Sequence, residues 1–257
     1  MTSLAAVLII KNEAENLADC LANLSWCDEI IVLDSGSQDD SLEIARQFTD
    51  KVYTDPDWQG FGVQRQRAQD KAHADWVFMI DADERVTDQL REEILHVVSQ
   101  NNQGVVYELP RLSRCFGKYI RHSGWYPDYV LRLYPRAKAA YGPDRVHEKL
   151  HFDQSMQIVR LKGDLLHFTY RDLEHYLSKS AQYAKEWAVQ RAEQGMSSSL
   201  SKGLLHGVGC FIKMYVFSAG FLDGRHGLLL ALLSAHSTFA KYADLWIRTR
   251  AEWIESR

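Results

Sequence analysis

Short apolar runs alternate with helix-patterned stretches throughout the first hundred residues, and that alternation admits few folds other than a parallel sheet with crossover helices. "LAAVLII" (4–10), "EIIVLD" (29–34), "KVYT" (51–54) and "WVFMI" (76–80) read as strands. Between them, Leu17, Cys20, Leu21 and Leu24 recur at helical spacing, as do Leu42, Ala45 and Phe48, the second set behind a cap at Asp40 with Glu43 three residues on. A further helix starts near Thr87 and buries Leu90, Ile94 and Val97. Open α/β sheets bind ligands beyond the carboxyl ends of their strands, where the loops diverge. Asp34 and Asp81 both fall at such ends.

After Gly104 the pattern shifts to shorter strands, "VVYELP", "VLRLYP", "VHEKL" and "MQIVRLKG". A helix from Asp172 to Arg191 follows, with Leu173, Tyr176, Leu177, Tyr183, Ala184 and Trp187 on one face. "EQGMSSSLSKG" (193–203) reads as a linker, so the chain divides into a domain over 1–195 and a helical extension over 196–257. From Leu204 to Arg250 the extension carries five Lys or Arg and two acids, against a net charge of -4 for the whole chain. It reads as a helical pair packed on the domain, as an interfacial element with Val216, Phe217, Phe221, Leu228 and Leu232 entering a leaflet, or as both at once. Lys213, Asp223 and Arg225 keep any stretch of it short of the roughly 18 uncharged apolar residues that span a bilayer.

The acidic net charge argues against nucleic acid as the partner. Four cysteines, Cys20, Cys27, Cys115 and Cys210, form no CxxC pair and read as thiols of a reducing compartment. The N-terminal residues have no basic region ahead of a cleavable apolar core, so a cytoplasmic location is expected.

Asp81 and Asp83, one residue apart at a strand end, can share a divalent cation that neutralises a diphosphate. In "DSGSQDDS" (34–41), Asp34 ends a strand, Gly36 permits a tight turn, and Ser35, Ser37 and Asp39 precede a helix; a carboxylate there accepts from a base N–H or a ribose hydroxyl. "KNE" (Lys11, Asn12, Glu13) follows the first strand on the same edge.

In order and spacing, "VLIIKNEAENL", "IIVLDSGSQDDS", "GFGVQRQRA" and "FMIDADER" resemble the nucleotide-sugar domain of family 2 glycosyltransferases, whose fold is GT-A, a Rossmann-like, mostly parallel sheet with flanking helices. The resemblance continues through "RHSGWYPDYVLRLYPR", "RVHEKL", "LLHFTYRDLEHYLSKSAQYA" and "GFLDGRHGLLLAL", stretches similar to lipopolysaccharide inner-core beta-1,4-glucosyltransferases of Gram-negative bacteria. It implies an α/β GT-A domain with a C-terminal helical extension, an inverting transfer of glucose from UDP-glucose to an inner-core heptose, and a peripheral place on the inner face of the inner membrane. Glu13 and Asp34 would then face the uridine, Arg65 would lie near the nucleotide, and Asp81 and Asp83 would form the DxD pair holding Mn²⁺ or Mg²⁺, Asp83 more directly. Gln66 departs from the Asn usual in the family at that place.

An inverting transfer needs a carboxylate to deprotonate the acceptor hydroxyl. Asp128 in "GWYPD" and Glu148 in "VHE" are the candidates, the Pro-fixed turn beside Trp125 and Tyr126 favouring Asp128. His147 is a candidate third metal ligand. Trp58, Trp76 and Trp187 read as packing residues. Arg111, Arg114, Arg121, Arg132 and Arg136 form a basic set, either a solvated face or contacts for acidic groups of the acceptor. A sugar nucleotidyltransferase fits less well, because "KNEAENL" lacks the glycines of a phosphate loop, and a DxD-type phosphatase would carry its aspartates after the first strand. A catalytically silent nucleotide-sugar-binding scaffold would bind donor without turnover.

Overall fold

The computed structural model describes residues 2–142 and 149–250. Two compact units emerge: one comprises the chain up to Arg111 together with Asp128–His167, the other Leu112–Pro127 together with the chain from Phe168 onward. Residues 112–127 and 168–195, grouped with the first domain in the sequence division, here pack with the C-terminal helices.

In the first unit, β1 (Leu4–Ile10), β2 (Glu29–Asp34), β3 (Val52–Thr54) and β4 (Trp76–Met79) are parallel, in the order β3-β2-β1-β4. Helices α1 (Ala14–Ala22), α2 (Ser41–Ala45) and α3 (Phe61–Gln69) make the crossovers. Successive side chains of a strand point to opposite faces. Leu4, Ala6 and Leu8 of β1 accordingly join one core with Phe78, while Ala5 and Val7 join another with Val77 and Met79. A sheet covered on both faces explains why these strands read as unbroken apolar runs.

Past β4 the chain makes β5 (Glu84–Val86) and α4 (Asp88–Gln100), then β6 (Val105–Cys115), β7 (Lys118–Tyr119) and β8 (Asp128–Pro135). Strand β8 lies antiparallel between β4 and β6. The short strands β9 (Ala139–Tyr141) and β10 (Leu150–Phe152) pair with each other, β11 (Gln157–Arg160) runs parallel to β6, and β12 (Leu165–Tyr170) is antiparallel to β5. The α/β class expected from the sequence is the class observed.

Several local expectations are corrected. Asp40 makes no side-chain cap on α2, because Asp39 already binds the Ser41 N–H and hydroxyl and so orders the start of that helix. Phe48 lies beyond α2 and is exposed. Helix α4 starts where expected, with Thr87 as its cap, and buries Leu90 and Ile94 as expected but Val98 rather than Val97.

In the second unit, α5 (Leu173–Glu193) is capped by Asp172, whose Oδ1 accepts from His175 N–H at 2.8 Å. It buries Tyr176, Ala184 and Ala188, leaving Leu173, Leu177 and Tyr183 of the expected face exposed. Helices α6 (Leu200–Ile212) and α7 (Arg225–Arg248) pack together, joined by a π-helical turn (Lys213–Phe217) and a 3₁₀ turn (Gly220–Asp223).

Candidate active site

The loops after β1, β2 and β4 of the first unit meet at one sheet edge, as the parallel order requires. Asp34 is fully buried; its Oδ2 accepts from Gly36 N–H at 2.9 Å, and both of its oxygens lie 3.1 Å from Ser37 N. Its carboxylate therefore shapes the loop that it opens. Gly36 has φ +90°, a backbone conformation that glycine adopts without steric cost, while a Cβ there would make only an ordinary contact with Pro56 Cβ at 3.4 Å. Asn12 donates its N–H to Ser37 Oγ and accepts from Gln38 N–H through Oδ1, both at 2.8 Å. Glu13 donates its N–H to Ser41 Oγ at 2.8 Å, and its Oε2 accepts from Asn16. Lys11, Asn12, Glu13, Asp34 and Ser37 are thus brought together, with Lys11 exposed.

Helix α3 enters the same edge through buried polar side chains. Gln64 donates to Ser35 Oγ at 3.0 Å, and Arg65 donates from Nη2 to Asp81 Oδ1 at 2.8 Å. Gln66, the departure from the family pattern, accepts from Tyr141 N–H through Oε1 at 2.8 Å and so anchors β9. Asp81 Oδ2 accepts from Arg132 Nη2. Burial would raise the Asp81 carboxyl, but the charges of Arg132 and Arg65 outweigh it and hold the group well below the usual carboxylate range. Burial in turn works against the Arg132 cation, and Asp81 and Glu84 more than restore it.

Glu84, given no role in the sequence reading, is fully buried, as Asp34 is. Its Oε2 accepts from Asp81 N–H at 2.9 Å, and its Oε1 lies 3.3 Å from Arg132 Nη2 and 3.6 Å from Arg111 Nη1. Arg111 donates from Nε and Nη2 to the same oxygen of Asp128, Oδ2, at 2.9 and 2.6 Å. A chain of alternating charge therefore runs Arg65, Asp81, Arg132, Glu84, Arg111, Asp128. Two of the five arginines read as a basic face are internal to it, and Arg132 is buried.

Asp83 faces a different neighbour. Its Oδ2 lies 3.2 Å from Nε2 of His167, a residue of β12 missed in the sequence, where it sits in the apolar run "LLHFTY". His147 and Glu148 lie outside the described residues. Among the described residues no group of three or more His, Cys, Asp or Glu is arranged to hold a metal ion. Asp83 and His167 nonetheless present a carboxylate oxygen and an imidazole nitrogen side by side, both partly exposed, which is a donor pair suited to a divalent cation. Each Asp81 oxygen accepts from one guanidinium group and keeps a further lone pair.

The tryptophans divide differently from expectation. Trp76 is fully buried and Trp187 packs on Tyr242, but Trp58 is exposed, edge-on to Phe61. In the second unit Trp125 packs with Cys115, Ile120 and Tyr170.

Residues 5–162, more than half of the chain, match the family model for glycosyl transferase family 2. The chain is a family 2 glycosyltransferase. A lipopolysaccharide core biosynthesis glycosyltransferase, LpsC of Rhizobium meliloti, is 28% identical to it over 93% of each chain. An uncharacterized glycosyltransferase of Rickettsia prowazekii, RP128, is 26% identical, with 95% of this chain and 87% of that one covered. Among solved structures, residues 1–349 of S. aureus TarS with UDP match all of this glycosyltransferase and 92% of that chain at 13% identity and a TM-score of 0.48. Glucosyl-3-phosphoglycerate synthase of Mycobacterium tuberculosis, in complex with Mn²⁺, UDP and glucosyl-3-phosphoglycerate, matches at 25% identity over 44% of each chain, with a TM-score of 0.37.

Proposed function

We propose that this glycosyltransferase is an inverting, metal-dependent hexosyltransferase that moves glucose from UDP-glucose to an inner-core heptose of lipopolysaccharide. The observation that supports the reading is the charge chain from Arg65 to Asp128, which links Asp81 at the strand end to the carboxylate that this reading assigns to the acceptor. The kinship with LpsC supports a lipopolysaccharide core acceptor; glucose as the sugar rests on the motif resemblance. Such an acceptor is lipid-anchored, so the reaction belongs at the inner face of the inner membrane.

In this reading the stitched loops after β1 and β2, with Lys11, Asn12, Glu13, Asp34 and Ser37, form the uridine side of the donor pocket, and Arg65 flanks the nucleotide. Asp83 and His167 would hold Mn²⁺ or Mg²⁺, with Asp81 beside them. The ion's contribution when bound is to neutralise charge on the departing diphosphate. Asp128 receives the proton of the acceptor hydroxyl as that oxygen attacks the anomeric carbon and the bond from carbon to UDP oxygen breaks, which inverts the configuration. Both contacts from Arg111 fall on Oδ2, so Oδ1 is the oxygen that takes the proton. Arg111 orients the base without covering that atom.

Asp128→Asn should leave UDP affinity nearly unchanged and lower turnover by roughly 10²-fold or more. Normal turnover in that variant would transfer the base role to Glu148. Asp83→Ala and His167→Ala should each weaken UDP binding in the presence of Mn²⁺, read by titration calorimetry, and leave metal-free UDP binding as it was. Equal affinity with and without the ion in the unaltered protein would remove the metal from the reading.

A further inference from the structure

Helix α6 of the second unit turns its small residues inward and its large apolar residues outward. Gly203 and Gly207 are its buried positions. A Cβ on Gly203 would meet Tyr242 Cβ at 3.1 Å, and one on Gly207 would meet the Ala235 carbonyl oxygen at 3.0 Å, so α7 approaches closely along that side. The other side presents Leu204, Leu205, Val208 and Ile212, with Leu205 74% exposed. The apolar face continues through the turns: Phe217 is 82% exposed, and Phe221 and Leu222 are more than half exposed. At the start of α7, Leu228, Leu229 and Leu232 face outward while Gly227, Leu230 and Ala231 are buried.

A helix in water normally faces its apolar stripe to the core. Glycine inside and leucine outside is the arrangement of helices whose outer neighbour is lipid. The charges of the same stretch are one-sided. Lys202, Lys213 and Arg225 are exposed, whereas the single acid between Leu200 and Leu232, Asp223, is buried and accepts from the N–H groups of Arg121 and His122 at 3.2 and 2.9 Å. An apolar face with a cationic fringe and no exposed acid complements an anionic lipid surface. Pairing with a second copy of itself would set like charges against each other. No helix among the described residues is long and apolar enough to cross a membrane, so the face must lie in the interface.

We infer that the face running from α6 through the first turns of α7 is a membrane-docking surface that seats in the headgroup–acyl boundary of an anionic phospholipid bilayer. Phe217, Phe221 and Leu222 are its apolar tip, and Lys213 and Arg225 meet the headgroups. The inference concerns where the protein binds and holds whatever glycan the active site uses.

Flotation of the full chain with vesicles tests it. The protein should float with phosphatidylcholine mixed with phosphatidylglycerol and bind phosphatidylcholine alone at least about tenfold more weakly, the scale set by a few surface cations. Leu205→Glu with Phe217→Glu should lower affinity for the mixed vesicles by about tenfold or more with an unchanged thermal melt. Leu205→Ser with Phe217→Ser serves if the glutamates disturb folding. Lys213→Gln with Arg225→Gln should erase the preference for the anionic lipid. Failure to float with either vesicle, or flotation indifferent to the apolar substitutions, would overturn the inference. So would a stable dimer that those substitutions split, because the face would then belong to a second copy.

Discussion

Asp81 stands between two guanidinium groups, and that placement decides how the acidic cluster is held together. Two carboxylates close to a third would repel one another in a part-buried site. Here Arg132 bridges Asp81 and Glu84, and Arg111 reaches Glu84 and Asp128, so each carboxylate has a cation beside it. Glu84, whose side chain is fully buried, lies between Arg132 and Arg111 and shares each of them with an aspartate. Glu84→Gln should destabilise the protein by about 3 kcal/mol, the usual consequence of breaking a buried ion pair, measured by urea denaturation. A loss below about 1 kcal/mol would show that Arg111 and Arg132 find compensation elsewhere. At this scale Asp34, Asp81 and Asp83 were legible because strand ends are marked by where apolar runs stop. Glu84, Arg132 and His167 were not. Each has a partner distant in sequence or in the turn between β4 and β5, and the pairing of β8 with β4, and of β12 with β5, brings Arg132 and His167 to the aspartates. The one available signal was a charged or imidazole side chain inside an otherwise apolar run, as in "VLRLYP" and "LLHFTY".

The elements themselves followed the periodicities closely where both faces of the sheet are covered. Their ends followed less well, since capping depends on which of several adjacent acids finds a free N–H: Asp39 rather than Asp40 serves the loop before α2. The antiparallel half was harder to read. Strands β5, β7 and β9 have two or three residues each, too few to show alternation. Glu29, at the start of β2, gives this scale a pH test. Burial would raise its carboxyl, but Lys51 at 2.7 Å and the N–H groups of His73 and Ala74 bring it from 4.5 down to about 2. Because the folded value is depressed, its stabilisation is complete above pH 4.5 and is lost as the pH falls from there to about 2. Glu29→Gln should flatten the acid limb of the unfolding free energy within that window; an unaltered limb would assign acid sensitivity to other groups. In α7, a Cβ on Gly227 would come within 1.9 Å of the Gly220 carbonyl oxygen. Gly227→Ala should therefore lower stability by about 1–3 kcal/mol in the same assay, and a wild-type melt would mean that the turn has room to shift.

Over the whole molecule, sequence order and spatial grouping part company. The segment 112–127 lies in the middle of the chain yet packs with the C-terminal helices, a long-range grouping that no local pattern announces. The exposed apolar face of α6 and α7 was open to two readings, because periodicity reports that a helix has an apolar side and does not report what covers it. Family membership is likewise a whole-chain property, carried by the joint order of motifs over residues 5–162. The proposed transfer of glucose to a lipopolysaccharide core is tested most directly by UDP release from a panel of UDP-sugars with purified inner-core acceptor, with and without Mn²⁺ or Mg²⁺. Release is expected from UDP-glucose alone, and only with both acceptor and metal present. Tight UDP-glucose binding with no release on that acceptor, or equal release from other UDP-sugars, would contradict it.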